Sequence, residues 1–367
     1  MAMSTRADFG YQVAVHGGYT SDLFKDSSRV EDSYTTPAVS LKYYPAPSIE
    51  VDFTSRYTYY SKIFDLSNAV FSGRITHTAT ALDSRLSVYV TIGHDKQRYR
   101  QLFESYDNNI TNFKATVGFE TDPRVHLRAG SRIKATTYIR ADSVDVDNER
   151  RIFFGGVNLT LPAENAIDFE IGGGLTNFAF IHQSTLLNGL RPNREDFDDG
   201  RFHMFYFSPR YSRPLPLRTG LNLVYTYRRF TRIDSVGVLS YATGFLSPWA
   251  SVWDGKSVTL ELKSYAVPHM IVSAGIGYFD KMYLKEIEQT RPPPMSFLPD
   301  EWWEVSEVER RRDFSTRRYI SLQRPFSVGR DGLLDAILSV EHVHNESTTA
   351  TYDYSDVTVY GGVSYRR

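Results

Sequence analysis

Residues 112–141 read NFKATVGFETDPRVHLRAGSRIKATTYIRA. Apolar and polar side chains alternate through the stretch with period two, the spacing of a strand whose two faces meet different surroundings. Phe113, Ala115, Val117 and Phe119 fall on one face, and Asn112, Lys114, Thr116 and Glu120 on the other. TDPR then reads as a tight turn. The returning strand sets Val125, Leu127, Ala129, Ile133, Ala135 and Ile139 against His126, Arg128, Arg132, Lys134 and Arg140. Five basic side chains on one strand face need water. The hairpin therefore separates an apolar phase from an aqueous one, and the fold turns on whether that apolar phase is a protein core or a bilayer.

Moving outward, the same rule holds. Ile49, Val51, Phe53, Tyr57 and Tyr59 oppose Glu50, Asp52, Thr54, Arg56 and Thr58. Ile167, Phe169, Ile171 and Leu175 oppose Asp168, Glu170 and Thr176, and Val258, Leu260 and Leu262 oppose Thr259, Glu261 and Lys263. The connections alternate as well. Short turns at YPAPS, LDSR, TDPR, PAEN, RPLPL, VPH and VGRDG are separated by longer polar loops near 20–33, 61–69, 96–110, 141–149, 183–200, 232–256, 287–312 and 344–350. Many alternating runs exceed the roughly 9–11 residues that cross a bilayer, whereas strands of soluble sandwiches and propellers are mostly about 5–6 residues long. No propeller-type repeat is visible. The expected fold is all-β, a transmembrane antiparallel β-barrel of about 16 strands with short periplasmic turns and long extracellular loops. The register around 239–254 leaves room for one more hairpin, which would make about 18. Residues 1–7 are expected to form an N-terminal tail and 8–367 the barrel.

Composition agrees with a wall wet on one side. The chain of 367 residues is 41% hydrophobic and carries 25 Tyr and 23 Phe, and Tyr suits surfaces apolar at one end and wet at the other. It holds no cysteine, so disulfides and thiolate metal sites are ruled out. A net charge of -1 argues against a nucleic-acid partner, which needs a basic face. No segment has the length and apolarity of a membrane helix. The start, MAMSTRADFGYQ, lacks the apolar core of a signal peptide; an exported protein, expected in the bacterial outer membrane, would then be a mature or trimmed form with an added methionine.

The last strand, VTVYGGVSYRR at 357–367, puts Val357, Val359, Gly361, Val363 and Tyr365 on its apolar face. It resembles the C-terminal strand of bacterial outer-membrane β-barrel proteins, which the barrel-assembly machinery reads as an insertion signal. Gly362 and Tyr365 match that pattern; Arg367 departs from it, since the family usually ends on Phe or Trp. More narrowly, YDYSDVTVYGGVSYRR at 352–367 is similar to the closing segments of porin-like barrels encoded with exopolysaccharide genes. The strand count is similar to that of exporters of cellulose-like and poly-N-acetylglucosamine-like polymers, although the helical repeats those exporters carry before the barrel are absent from this chain. The resemblance implies the outer-membrane bilayer, the assembly machinery, and a polar solute or polysaccharide as partners, with a periplasmic partner or a homo-trimer as further options.

A barrel of this size encloses an aqueous channel unless something fills it. The expected lumen face is of mixed sign: Lys114, Arg128, Arg132, Lys134 and Arg140, with Arg210, Arg218 and Arg228 further round, and the acidic pairs Glu50 with Asp52 and Asp168 with Glu170. Two readings stand. Opposed basic and acidic walls would set a field across a pore, or the charges pair between neighbouring strands and stiffen the wall. Phe245, Trp249 and Trp253 in SYATGFLSPWASVWDG offer stacking surfaces for sugar rings, or belong to an extra hairpin. In the loop from Thr290 to Asp313, Trp302, Trp303 and Val305 lie in a helical reading over 299–312 that Arg310, Arg311 and Arg312 would close, either as a lid or as a helix on the rim.

Catalytic motifs are missing: there is no G-x-S-x-G elbow and no H-E-x-x-H. His342 and His344 share a strand face without a third ligand, which places them in a wet loop mouth, and Glu195, Asp196, Asp198 and Asp199 lack EF-hand spacing. No enzyme, cofactor, metal or N-terminal plug domain is expected. The sequence reading is a channel for polar solutes or a polysaccharide; a gated export pore and a plugged receptor or scaffold are the alternatives.

Overall fold

The computed structural model describes residues 8–25, 29–139, 147–179, 200–232, 253–283, 311–329, 331–348 and 350–367. Sixteen strands follow in chain order: β1 (Asp8–Thr20), β2 (Asp32–Ala46), β3 (Ile49–Tyr60), β4 (Asn68–Ala81), β5 (Leu86–Tyr99), β6 (Asn108–Asp122), β7 (Val125–Tyr138), β8 (Asp147–Thr160), β9 (Ala166–Ala179), β10 (Gly200–Leu215), β11 (Thr219–Arg232), β12 (Trp253–Ser264), β13 (Ile271–Tyr283), β14 (Arg312–Val328), β15 (Gly332–Ser347) and β16 (Tyr354–Arg366). Each pairs antiparallel with its neighbours in sequence, and β1 pairs with β16 to close the ring. Closure leaves no strand edge, so every ladder N–H and C=O can be satisfied within the wall, the condition for a sheet to sit in lipid. The last residue takes part: Arg367 N–H donates to Tyr11 O at 3.0 Å, and Tyr11 N–H donates to Arg367 O at 2.9 Å.

The period-two pattern fixes which face looks out. Large apolar side chains that a soluble protein would bury are exposed on the outer face, including Phe153 (67%), Ile75 (54%) and Leu338 (50%). They recur around the whole ring, with Val13, Val39, Phe53, Ile92, Val117, Leu127, Ile171, Phe205, Leu223, Val258, Ile276, Ile320 and Val363. An apolar band of this extent belongs in a bilayer rather than in water. Among the described residues no helix is long and apolar enough to cross a membrane; the strands, 12 (β3) to 17 residues long (β14), make the crossing.

β11 pairs directly with β12, so no further hairpin enters the wall near 239–254 and the ring has sixteen strands. The expected helix over 299–312 is corrected at its end: Arg312 opens β14, paired with Met282 and ion-paired with Asp280. Residues 299–310 lie outside the described residues.

At the long-loop end, carboxylates pin the chain where strands leave the ladder. Asp32 accepts hydrogen bonds from the backbone N–H groups of Ser33, Ser61, Lys62 and Ile63. Asp356 accepts from Ser21 and Asp22 N–H and from the Thr20 hydroxyl. Asp107 accepts from Tyr99 N–H at 2.6 Å, and Asp254 from Phe230 N–H. Each supplies an acceptor to N–H groups that the neighbouring strand no longer reaches. On the loop between β1 and β2, the Lys62 ammonium and the Tyr19 hydroxyl donate to Glu31 and hold its carboxyl below the usual carboxylate range.

Candidate functional site: the inner wall

The inner face carries the complementary half of each strand's alternation. On β7 it holds Arg128, Arg132 and Lys134, with Lys114 opposite Arg132 on β6. On β9 it holds Asp168 and Glu170. β8 lies between β7 and β9, and at that level its inward residue is Gly156, the register partner of both Arg128 and Glu170. With no side chain there, Arg128 reaches across a whole strand: Nη1 donates to Asp168 Oδ2 at 2.7 Å, and Nη2 to Asp168 Oδ1 at 2.6 Å and Glu170 Oε2 at 3.1 Å. Arg132 Nη2 donates to both oxygens of Glu170, at 3.0 and 3.1 Å. Tyr206 on β10 donates its hydroxyl to Glu170 Oε1 at 2.7 Å and lies over Gly172, where a Cβ would fall 2.5 Å from its ring. Two guanidinium groups and two carboxylates are thereby locked into one network spanning four strands.

Above this network, in the direction of the long loops, the inner face turns apolar. Phe154, Phe202, Met204, Tyr206 and Phe230 form one buried cluster with Ile152 against it. The Arg132 guanidinium packs over the Phe154 ring at 4.2 Å. Arg228 lies over the Trp253 ring at 3.6 Å and donates from Nε to the Trp253 carbonyl at 3.1 Å, an arrangement in which a planar cation keeps ring and carbonyl contacts together.

The opposite arc differs. Glu50 and Asp52 on β3 flank Lys42 on β2, at 2.7 and 3.9 Å. Hydroxyl pairs line the rest: Ser40 with Thr54 at 2.8 Å, Thr36 with Thr58 at 3.1 Å, and Thr76 with Thr91 at 3.3 Å. On the inner side Tyr360 stacks on His16 with centroids 5.4 Å apart, and Tyr34 meets Tyr60 at 6.0 Å.

The predicted lining therefore divides. Arg128, Arg132, Asp168 and Glu170 belong to one network, and Glu50 and Asp52 to the Lys42 group; these charges pair along the wall rather than facing one another across the lumen. Arg210 lies on β10 beside Asp168 in register. Lys114 and Lys134 are exposed and have no ion pair among the described residues, as have Arg56 on β3 and Arg74 on β4. Arg56 was visible on the polar face of its strand; Arg74 follows the same alternation within β4 and needed only the register Asp52 to Arg74 to be placed. Arg218 is a correction. β10 runs on to Leu215, so the turn shifts to 216–218 and Arg218 sits exposed in it with φ 53°. Trp253 is likewise moved from a loop to the first position of β12. Gly362 faces inward, its Cα hydrogens against His16, where a Cβ would fall 2.2 Å from Nδ1. Tyr365 faces outward with its ring 6.1 Å from Tyr11. Arg140, Phe245, Trp249, Trp302 and Trp303, with the acidic stretch 195–199, lie outside the described residues.

His342 and His344 are also displaced from the expected loop mouth. They continue the outward parity of Leu338 and Val340 along β15, so they project from the outer face. His342 Nε2 lies 3.0 Å from Ser355 Oγ and His344 Nε2 3.3 Å from Glu346. Among the described residues no group of three or more potential ligands is placed to hold a metal ion.

A closed sixteen-stranded antiparallel barrel with an apolar outer band and a polar, charged inner wall defines a transmembrane β-barrel. No protein-family model matches the chain, and no curated protein matches it in sequence. Among solved structures it is similar to CdiB from Acinetobacter baumannii, with a TM-score of 0.54 and 8% identity, covering 98% of this chain and 60% of that one. The chain thus spans about three fifths of CdiB's length. It is similar also to Pseudomonas aeruginosa OpdO, with a TM-score of 0.50 and 10% identity over 98% of this chain and 97% of that one. A third likeness is to a bacterial polysaccharide outer membrane secretin, with a TM-score of 0.50 and 9% identity over 97% of this chain and 98% of that one. At such identities the likeness is one of fold, and the fold is that of bacterial outer-membrane barrels.

Proposed function

We propose that the protein is an outer-membrane channel for polar solutes, with a path that runs along the arc from β2 to β7 and favours anions. The observation that carries this reading is the set Arg56, Arg74, Lys114 and Lys134, four exposed inner cations without an ion pair among the described residues. They lie on an arc whose inner face otherwise carries hydroxyl pairs, the Tyr34 and Tyr60 rings and the Lys42, Glu50 and Asp52 group, in which the charges are already paired. The wall beyond it is filled by the Arg128 network and the Phe154 cluster. No chemistry is required of such a wall: fixed charge raises the local concentration of a counter-charged solute, and hydroxyls replace part of its hydration.

A second reading, passage of a polysaccharide, is favoured by one feature. The rings of Tyr60, Tyr34, His16 and Tyr360 form a row on the inner face of four adjacent strands, β3, β2, β1 and β16, and aromatic faces suit sugar rings. The secretin likeness in fold is compatible with it.

Single-channel recording of the full chain in planar bilayers under a salt gradient tests both. Steady conductance with a reversal potential on the anion side is the expected result. A cation-side potential removes the anion preference, and persistent silence removes the channel reading in favour of a plugged scaffold. Current block by a neutral oligosaccharide, lost on Tyr34→Ala, would give the second reading precedence.

A further inference from the structure

The outer face carries a basic site that no transport role uses. On β14 the outward residues run Val328, Phe326, Arg324, Leu322, Ile320, Arg318, Thr316, Phe314 and Arg312. Arg318 lies ten residues above Val328, which at a rise of about 3.4 Å per residue and a strand tilt of about 40° is roughly 25 Å along the barrel axis. That is the height of the apolar band of such barrels, about 25 Å. Arg318 therefore leaves the wall where hydrocarbon gives way to headgroups, at the long-loop end.

Its surroundings are built from donors. Its register partners are Ile276 on β13 and His342 on β15. Thr316 stands opposite His344, and His344 opposite Ser355 on β16. The outward carboxylates of this region are engaged elsewhere. Asp280 is held by Arg312 through two 3.0 Å hydrogen bonds, with Lys256 at 4.0 Å, and Glu346 lies against His344 at 3.3 Å. Arg318 is exposed and has no carboxylate partner among the described residues. A guanidinium at the edge of hydrocarbon with no acid beside it is costly unless a mobile anion meets it.

We infer that Arg318, flanked by His342, His344, Thr316 and Ser355, binds a phosphate monoester on the headgroup of an outer-leaflet glycolipid. The guanidinium fork fits two phosphate oxygens at once, His342 and Thr316 stand beside it to supply further donors, and Ile276 beside it and Ile320 and Val340 below meet the acyl chains. The lipid headgroup is preferred to free phosphate because the site opens sideways onto the apolar band and not into the lumen or the solvent above.

The test uses the full chain in detergent micelles, with bound lipid counted by native mass spectrometry. The probes are bis-phosphorylated lipid A, its dephosphorylated form, and inorganic phosphate. Wild-type protein should retain the phosphorylated lipid, and Arg318→Gln should weaken retention by about tenfold or more, the loss expected for charge-assisted hydrogen bonds. Arg318→Lys should recover part of it. Arg324→Gln, which removes an outward cation of the same strand six residues toward the short-turn end, roughly 15 Å below Arg318, should change nothing. Equal retention of the dephosphorylated lipid, or an equal loss in Arg324→Gln and Arg318→Gln, overturns the assignment. Displacement of the lipid by millimolar inorganic phosphate overturns it in favour of a free-anion site. The comparison of the two lipids on wild-type protein stands even if a variant fails to fold.

Discussion

Two arcs of one wall obey the same alternation and end as different materials. From β7 to β12 the inner face is packed: glycines at 156 and 172 open gaps that Arg128 and Tyr206 fill, carboxylates on β9 lock two guanidinium groups, and a cluster of rings is buried above them. From β1 to β6 the inner face is lean, lined by hydroxyl pairs and isolated cations, and its loops are pinned by Asp32 and Asp107. The difference teaches that binary patterning decides which side of a barrel strand is wet, while residue size on the wet side decides whether that side becomes a wall or a path.

The largest effect is expected where packing depends on an absent side chain. A Cβ at Gly156 would fall 2.7 Å from the Phe169 carbonyl oxygen and 3.2 Å from the Arg128 guanidinium. Gly156→Ala should cost about 1–3 kcal/mol, the usual range for overpacking, with the Arg128 crossing displaced. In the lean arc, Gly93 faces inward with its nearest neighbour 3.6 Å from a built Cβ, and Gly93→Ala should stay within about 0.5 kcal/mol. Heat-dependent loss of the folded band on unboiled gels measures both, and equal losses would erase the distinction between the arcs.

Next come the ion pairs. Arg128 and Asp168 are 21% and 22% exposed, whereas Arg317 and Glu341, on β14 and β15, are 50% and 26% exposed. Asp168→Asn leaves a half-buried guanidinium short of one partner and should cost about 1–3 kcal/mol; Glu341→Gln, in a solvated pair, should cost less than about 1 kcal/mol. Urea midpoints in micelles rank them, and a reversed order would show that the Arg128 network does not stiffen the packed arc.

A third contrast is electrical. Replacing Lys114 and Lys134 together with Glu should move the reversal potential toward cation selectivity, since both are exposed inner charges. Arg128→Gln should move it less, because its charge is already matched by Asp168 and Glu170. A larger shift from Arg128 than from the two lysines would put the conducting path against the Arg128 network instead.

Much of this was legible in the chain. Phe113 against Lys114, or Val357 against Thr358, gives the outward and inward faces without coordinates, because the pleat has a period of two. The parity of Arg128, Arg132, Asp168 and Glu170 was equally plain. Their pairing was not, because the partners are about 40 residues apart (128 to 168) and separated by a strand whose relevant residue, Gly156, carries no side chain. Arg218 was misplaced because β10 continues through Pro214 and delays the turn. His342 and His344 carried the correct parity, shared with Leu338 and Val340; assigning them to a loop mouth overlooked that the same face is lipid-facing lower down the strand.

The smallest effects belong to the short turns, which join the strands in both arcs and should not distinguish them. Leu217 stands at φ 60° between β10 and β11, and Leu82 at φ 52° between β4 and β5. A left-handed conformation costs a side-chain-bearing residue roughly 1–2 kcal/mol, a cost glycine escapes, but glycine also gives the unfolded chain about 0.5–1 kcal/mol more entropy to lose. Leu217→Gly and Leu82→Gly should therefore each stabilise by no more than about 1.5 kcal/mol, and by similar amounts in the same melting experiment. The turns end strands whose outer faces are alike, and the inner faces where the arcs differ lie above them. A loss in Leu217→Gly as large as that in Gly156→Ala would show instead that the exposed leucine at this turn anchors the packed arc, and the contrast between the arcs would then begin at the turns rather than at Gly156.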